Sequence, residues 1–163
     1  MFREMRRAKQ QLGAEECCEI LQKCENGVLA VSGDDGYPYT VPLNYAWSDG
    51  KIYFHCAKSG HKIDAINRND KVSFCVIEQD DVVTQKLTTF YRSVIVFGRA
   101  RILEDEDEIR RVTRNFTLKF NDDENFIKEE TDRFIKSLAC VEITPDHITG
   151  KEAIELTKQR ENN

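Results

Sequence analysis

The chain lacks every feature that would place it in a membrane, a disulfide-stapled scaffold or a linker-joined array. It has no apolar run of 18 residues and no signal-peptide-like hydrophobic stretch, so a soluble, cytoplasmic protein with no membrane partner is expected. Six cysteines, at positions 17, 18, 24, 56, 75 and 140, form no CxxC pair. Several sit inside apolar alternating runs, as reduced and buried thiols do. The close thiolate or imidazole pairs that zinc requires are missing too. Only His55, Cys56 and His61 come near one another, and neighbouring strand residues point to opposite faces, so no metal is expected. With three prolines, no Pro/Gly/Ser-rich tract and no repeat, nothing divides the chain, and 1–163 reads as a single domain. An excess of positive charge is absent as well. The formal net charge is -5, with acid gathered in EDEDE (104–108) and NDDENFIKEE (121–130), which excludes a nucleic-acid footprint on those faces.

What is present is 40% apolar content, enough for one core at this length. AEECCEILQKC (14–24) sets Cys17, Ile20, Leu21 and Cys24 at helical spacing, with Gly27 as a stop signal. GVLAVS, GDDG and YPYTVPLNYAW then read as a hairpin, followed by an SDG turn into KIYFHCA. Along YPYTVPLNYAW the bulky Tyr39, Val41, Leu43, Tyr45 and Trp47 alternate with Thr40, Pro42, Asn44 and Ala46. Pro42 cannot donate to a ladder and so argues for an edge or an interruption, where a ligand could meet exposed backbone. SGHKIDAINRN (59–69) reads as a short helix, KVSFCVI (71–77) as a strand, and SVIVFGRARIL (93–103) as a long strand with a bulge or bend at Gly98. Helices are expected over about Asp107–Phe120 and Glu124–Leu138, a last strand in ACVEITPDHITG, and a short helix in KEAIELTK. The expectation is an α+β fold, a six-stranded antiparallel barrel with peripheral helices.

One stretch carries chemistry. FHCAKSGHK (54–62) packs two histidines, two lysines and a glycine where a strand gives way to a helix. The first N–H groups of a helix lack acceptors and carry the positive end of its dipole, so an anion is stabilised there. Lys62, and His61 if protonated, would add charge-assisted bonds, and Gly60 lets backbone approach closely. The plainer reading makes Ser59 an ordinary N-cap and the two cations solvated side chains. Taken alone it prevails, because the spacing of a P-loop is absent.

The order TVPLNYAWSDGKIYFHCAKSGHKIDAI, KVSFCV, FYRSVIVFGRARIL resembles the FMN-binding split-barrel flavoproteins related to pyridoxamine 5'-phosphate oxidase. It is most similar to their nitroimidazole-resistance (Nim-type) reductase branch. The resemblance runs from about Met1 to Gly150 and implies a six-stranded split β-barrel. It implies that Thr40, Val41, Pro42, Leu43, Asn44 and Tyr45 run beside the isoalloxazine and ribityl chain, largely through main-chain groups. Phe54 and His55 would flank the flavin, His61 and Lys62 grip the FMN phosphate, and Arg92 and Ser93 reach the cofactor as a polar pair. It further implies a homodimer with FMN at the interface; the expected reaction passes electrons from NADH, NADPH or another donor to a small electron-poor acceptor such as a nitroaromatic. His55, by itself a satisfied histidine at a strand end, becomes the candidate proton donor or substrate contact. Two other readings stay open. One is a true pyridoxamine 5'-phosphate oxidase, although KEAIELTKQRENN lacks the arginine-rich C-terminal segment of those enzymes. The other is a non-catalytic module carrying FMN or haem.

Overall fold

The computed structural model describes residues 1–161, so the last two residues of the expected 1–163 unit lie outside the described residues. Five helices, α1 (Ala14–Lys23), α2 (His61–Arg68), α3 (Glu106–Leu118), α4 (Glu124–Ser137) and α5 (Ile154–Glu161), surround one sheet. Its strands are β1 (Asn26–Ser32), β2 (Pro38–Asn44), β3 (Ala46–Ser48), β4 (Lys51–Ala57), β5 (Lys71–Val83), β6 (Thr88–Ile102) and β7 (Leu138–Glu152). All pairings are antiparallel, in the order β2-β1-β5-β6-β7-β4-β3. Among the described residues no helix is long and apolar enough to cross a membrane.

Six strands were expected and seven form, because the run YPYTVPLNYAW breaks at Tyr45. The ring of Tyr45 is fully buried, edge-on to Phe74 at 5.1 Å, and its hydroxyl donates to the Leu21 carbonyl at 2.8 Å. Its backbone N–H bonds to the Glu25 carbonyl at 3.1 Å, outside any ladder. The alternation of bulky and small residues passes through this position unchanged, so periodicity alone could not reveal the break. The consequence is topological. β2 and β3 are the two edges of the sheet, yet only one residue separates them, and successive Cα atoms lie about 3.8 Å apart. The sheet therefore curls until its edges meet at Tyr45, while the ladder itself stays open.

Inside the curl, alternate residues of every strand form the core: Leu29 and Val31, Phe54, Phe74 and Val76, Val94 and Val96, Val141 and Ile143. The stripe of α1 closes one end with Cys17, Ile20 and Leu21. Pro42 lies within β2, paired with Val28, and is tolerated because β2 is an edge. β6 begins at Thr88 rather than Ser93, since β5 and β6 continue past the apolar part of their sequences into a long hairpin. At Gly98 the register against β7 shifts by one residue, and a Cβ there would meet the Thr144 carbonyl at 2.5 Å. Helix starts follow local chemistry. The Asp105 side chain accepts from the N–H of Glu108, and that of Asp123 from the N–H groups of Asn125 and Phe126.

One buried charge ties the far side together. Glu142, 1% exposed, accepts from Arg101 Nε at 2.7 Å, Lys51 Nζ at 3.0 Å and the Tyr53 hydroxyl at 3.0 Å. Burial alone would raise its pKa, but these donors outweigh burial and hold it at about 2, while burial and the carboxylate push Tyr53 up to about 12. Glu142 therefore stabilises the fold above the unfolded carboxyl pKa of about 4.5, and the contribution fades as pH falls towards 2. Glu142→Gln is expected to cost up to about 3 kcal/mol at neutral pH. Urea titrations of both proteins at falling pH should show that difference shrink below pH 4.5; a pH-independent difference would contradict this account.

Candidate functional site

The pairing of β3 with β4 sets Ala46 opposite Tyr53. Continued in the same register, it would set Asn44 opposite His55 and Tyr39 opposite Gly60. No ladder forms beyond Ala46 among the described residues: the chain turns at Tyr45, β2 pairs with β1, and β4 pairs with β7. A slit is left between β2 on one side and β4 with the start of α2 on the other.

The two ends of the slit differ in chemistry. At the Tyr45 end, Asn44 and His55 line a cleft of about 390 Å³ with Phe116 and Phe120. His55 stacks on Phe134 at 5.0 Å and meets the edge of Phe116 at 4.7 Å. Burial by these rings lowers its pKa, which favours the neutral imidazole. At the other end stands α2. Its N-cap is Gly60, not Ser59, and no side chain caps it. The ordinary capping role for Ser59 is thus not filled, and the N–H groups of the first turn have no side-chain acceptor there. His61 stacks on Tyr39 at 4.1 Å and stands 3.5 Å from Asp34, which also holds Arg68. Lys62 is half-buried. Its ammonium lies near Cys56, opposing the burial that pushes that thiol up.

Between these ends runs β2, an edge strand with one side unpaired. Thr40, Pro42 and Asn44 are exposed, while Tyr39, Val41 and Leu43 pack inward on the core. From Tyr39 to Asn44 the strand spans roughly 16 Å at about 3.3 Å per residue. A ligand could thus find a cationic seat, a run of main-chain donors and acceptors, and an aromatic cleft along one line. Tyr45 and Phe54 border the slit, but their side chains are fully in the core, so only their main chain could face a ligand.

Arg92 and Ser93 are not on this slit in their own chain, because β1 and β5 stand between β2 and β6. Arg92 instead pairs with Glu16 at 2.7 Å, Glu152 at 3.4 Å and Glu78 at 3.5 Å. Ser93 lies on the outer face of the sheet. That face carries a row joined by register, Pro42, Val28, Cys75 and Ile95, beside a second row, Thr40, Ala30, Ser73, Phe97 and His147. Ile77, Ile95 and Phe97 remain exposed on it. Phe116 and Phe120, which line the cleft, and Phe134, which stacks on His55, have no sequence signal that separates them from ordinary apolar helix positions.

The family model for pyridoxamine 5'-phosphate oxidase matches residues 13–152. Among solved structures, the chain superposes on a candidate 5-nitroimidazole antibiotic resistance protein from Bacteroides thetaiotaomicron with a TM-score of 0.73 and 20% identity, covering 87% of this chain and 86% of that one. An FAD-binding protein from Mesorhizobium loti gives 0.66 with 28% identity, over 88% and 97% of the two chains. A conserved hypothetical protein of Mycobacterium tuberculosis gives 0.77 at 23% identity, over 91% and 90%. An uncharacterised Rhizobium meliloti protein is 33% identical over 88 residues, about half of each chain (54% and 53%).

Two outcomes test this geometry. The His55 imidazole is expected to titrate below its ordinary value by NMR and to move back towards it in Phe134→Ala, which opens the stack; equal titration in both would rule out burial as the cause. Gly60 adopts φ +124°, ψ 171°, a region other residues rarely occupy, with open space around it. Gly60→Ala should therefore cost about 1–3 kcal/mol in chemical denaturation through backbone strain alone.

Proposed function

This chain belongs to the pyridoxamine 5'-phosphate oxidase family, and from that premise we propose that it is a flavin-dependent oxidoreductase binding FMN along the slit between β2 and β4. Its acceptor would be a small electron-poor molecule such as a 5-nitroimidazole. The observation that carries the reading is the pairing of unlike ends on one edge strand: uncapped N–H groups with His61 and Lys62 at one, and the Asn44, His55, Phe116 and Phe120 cleft at the other.

In this reading Lys62, His61 and the first turn of α2 hold a dianionic phosphate, combining charge-assisted bonds with the helix dipole. Thr40 to Asn44 offer main-chain groups to the ribityl chain and the polar edge of the ring, Pro42 supplying only a carbonyl. The main chain of Tyr45 and Phe54 borders the ring, and Phe116 and Phe120 provide apolar walls that exclude water. FMN held there would supply the redox chemistry between an electron donor such as NADH or NADPH and the acceptor. His55, neutral and enclosed, presents one N–H and one bare nitrogen, and is the group placed to hydrogen-bond the acceptor or hand it a proton.

A homodimer completes the proposal. The apolar row on the outer face, from Pro42 through Val28 and Cys75 to Ile95, suits burial against a second copy. Such packing would also give Ser93, on that outer face, a route to the partner's slit, which it lacks in its own. Likeness to an FAD-binding protein supports a flavin, and likeness to a candidate nitroimidazole resistance protein supports a nitroaromatic acceptor.

Lys62→Glu places a like charge at the phosphate seat and is expected to lower flavin retention on gel filtration by tenfold or more, about 1.4 kcal/mol for each factor of ten. Retention at the level of the unmodified protein would remove the seat. In the unmodified protein, dilution should release flavin and monomer together, read by absorbance during sedimentation; flavin kept by a stable monomer would remove the interface site.

A further inference from the structure

The groove between α3 and α4 is a cavity of about 500 Å³ that the proposed flavin site does not use. Arg110, Arg111 and Arg114 line it from one face of α3, and Ile127, Lys128 and Thr131 from the facing side of α4. Four cations thus converge on one space. Thr131 sits among them only 5% exposed, with its Oγ1 buried and no hydrogen-bond partner among the described residues. A helical threonine commonly satisfies its hydroxyl on the carbonyl of the preceding turn. Here that bond is absent, and a buried hydroxyl left unmade is costly unless something fills the place.

The arginines are held by surface carboxylates, and Arg111 also reaches the buried Tyr53 hydroxyl. Arg111 pairs with Asp49, Arg114 with Glu124, and Arg110 with Glu106 and Asp132, all surface pairs whose carboxylates are 49–68% exposed. Pairs of that exposure are weak and exchangeable. Lys128 has no carboxylate partner among the described residues. Glu124 also borders the groove and would have to swing aside with its arginine free to turn inward.

We propose that this groove binds a small phosphomonoester. Its phosphate lies between Arg114, Lys128 and the Thr131 hydroxyl, and its apolar remainder rests on Ile127. The planar guanidinium matches phosphate oxygens two at a time, the ammonium adds a point charge, and the hydroxyl supplies the missing donor. A dianion suits four converging cations better than a single carboxylate does. Occupation has a mechanical consequence. Arg114 is on the helix that carries Phe116, and Lys128 and Thr131 are on the helix that carries Phe134, so a shared anion ties together the two aromatic walls of His55.

The test is a titration of the isotope-labelled full chain with inorganic phosphate, following backbone amides by NMR. Saturable shifts are expected over residues 110–114 and 127–131, with affinity lowered about tenfold or more in both Thr131→Val and Lys128→Gln. Thr131→Val keeps the volume of the side chain and removes only its hydroxyl. Lys128 is exposed, so Lys128→Gln keeps the test valid should the first variant fold poorly. Shifts confined to the first turn of α2, an absence of saturation in the groove, or unchanged affinity in either folded variant would overturn the proposal.

Discussion

Everything about the slit depends on where Tyr45 is held. Its hydroxyl on the Leu21 carbonyl, its N–H on the Glu25 carbonyl and its ring against Phe74 fix a single residue in the core. That residue carries the chain from one edge of the sheet to the other. Lys119 adds a cap from outside, its ammonium 4.8 Å from the centre of the ring. Were β2 and β4 to pair as their register invites, the sheet would close and nothing could enter. The buried tyrosine prevents this by sending β2 towards β1, which leaves unpaired backbone along a lip that is otherwise well formed.

Chemistry is then distributed by strand parity. On β4, Phe54 and Cys56 face the core while Tyr53 and His55 face outward beneath the α3–α4 hairpin. On β2 the same alternation sends Tyr39, Val41 and Leu43 inward and leaves Thr40, Pro42 and Asn44 outward. The outward sets lie on the two lips of one slit, so the inward sets can supply stability without occupying it. The helical hairpin performs a double task of its own: its inner side encloses an imidazole, and its groove gathers cations.

Much of this was legible in the chain. The hairpin around GDDG, the α1 stripe, the irregularity at Gly98 and the helix opening at GHK are all local signals, fixed by turn chemistry, glycine geometry or helical spacing. What escaped was non-local. The Tyr45 break left the alternation intact, so a strand count from periodicity gave one too few. The extension of β5 and β6 through QDDVVTQKLTTFY comes from pairing with each other, which no apolar pattern announces. The role of Arg92 depends on three carboxylates brought from positions 16, 78 and 152. The aromatic enclosure of His55 needs α3, α4 and β4 folded together, and each phenylalanine alone looks like ordinary core.

The seam that joins residues near the two ends of the chain has a kinetic meaning. Gln11 bridges Lys151, the Leu12 N–H bonds to the Gly150 carbonyl, and the Gln10 amide bonds to the Glu152 carbonyl. A loop of nearly the whole chain must close before these contacts form, and loops of that length close late because their entropy is spent first. On the ribosome, the early segment must therefore wait for β7 to emerge, leaving β1 to pair with β2 and β5 in the meantime.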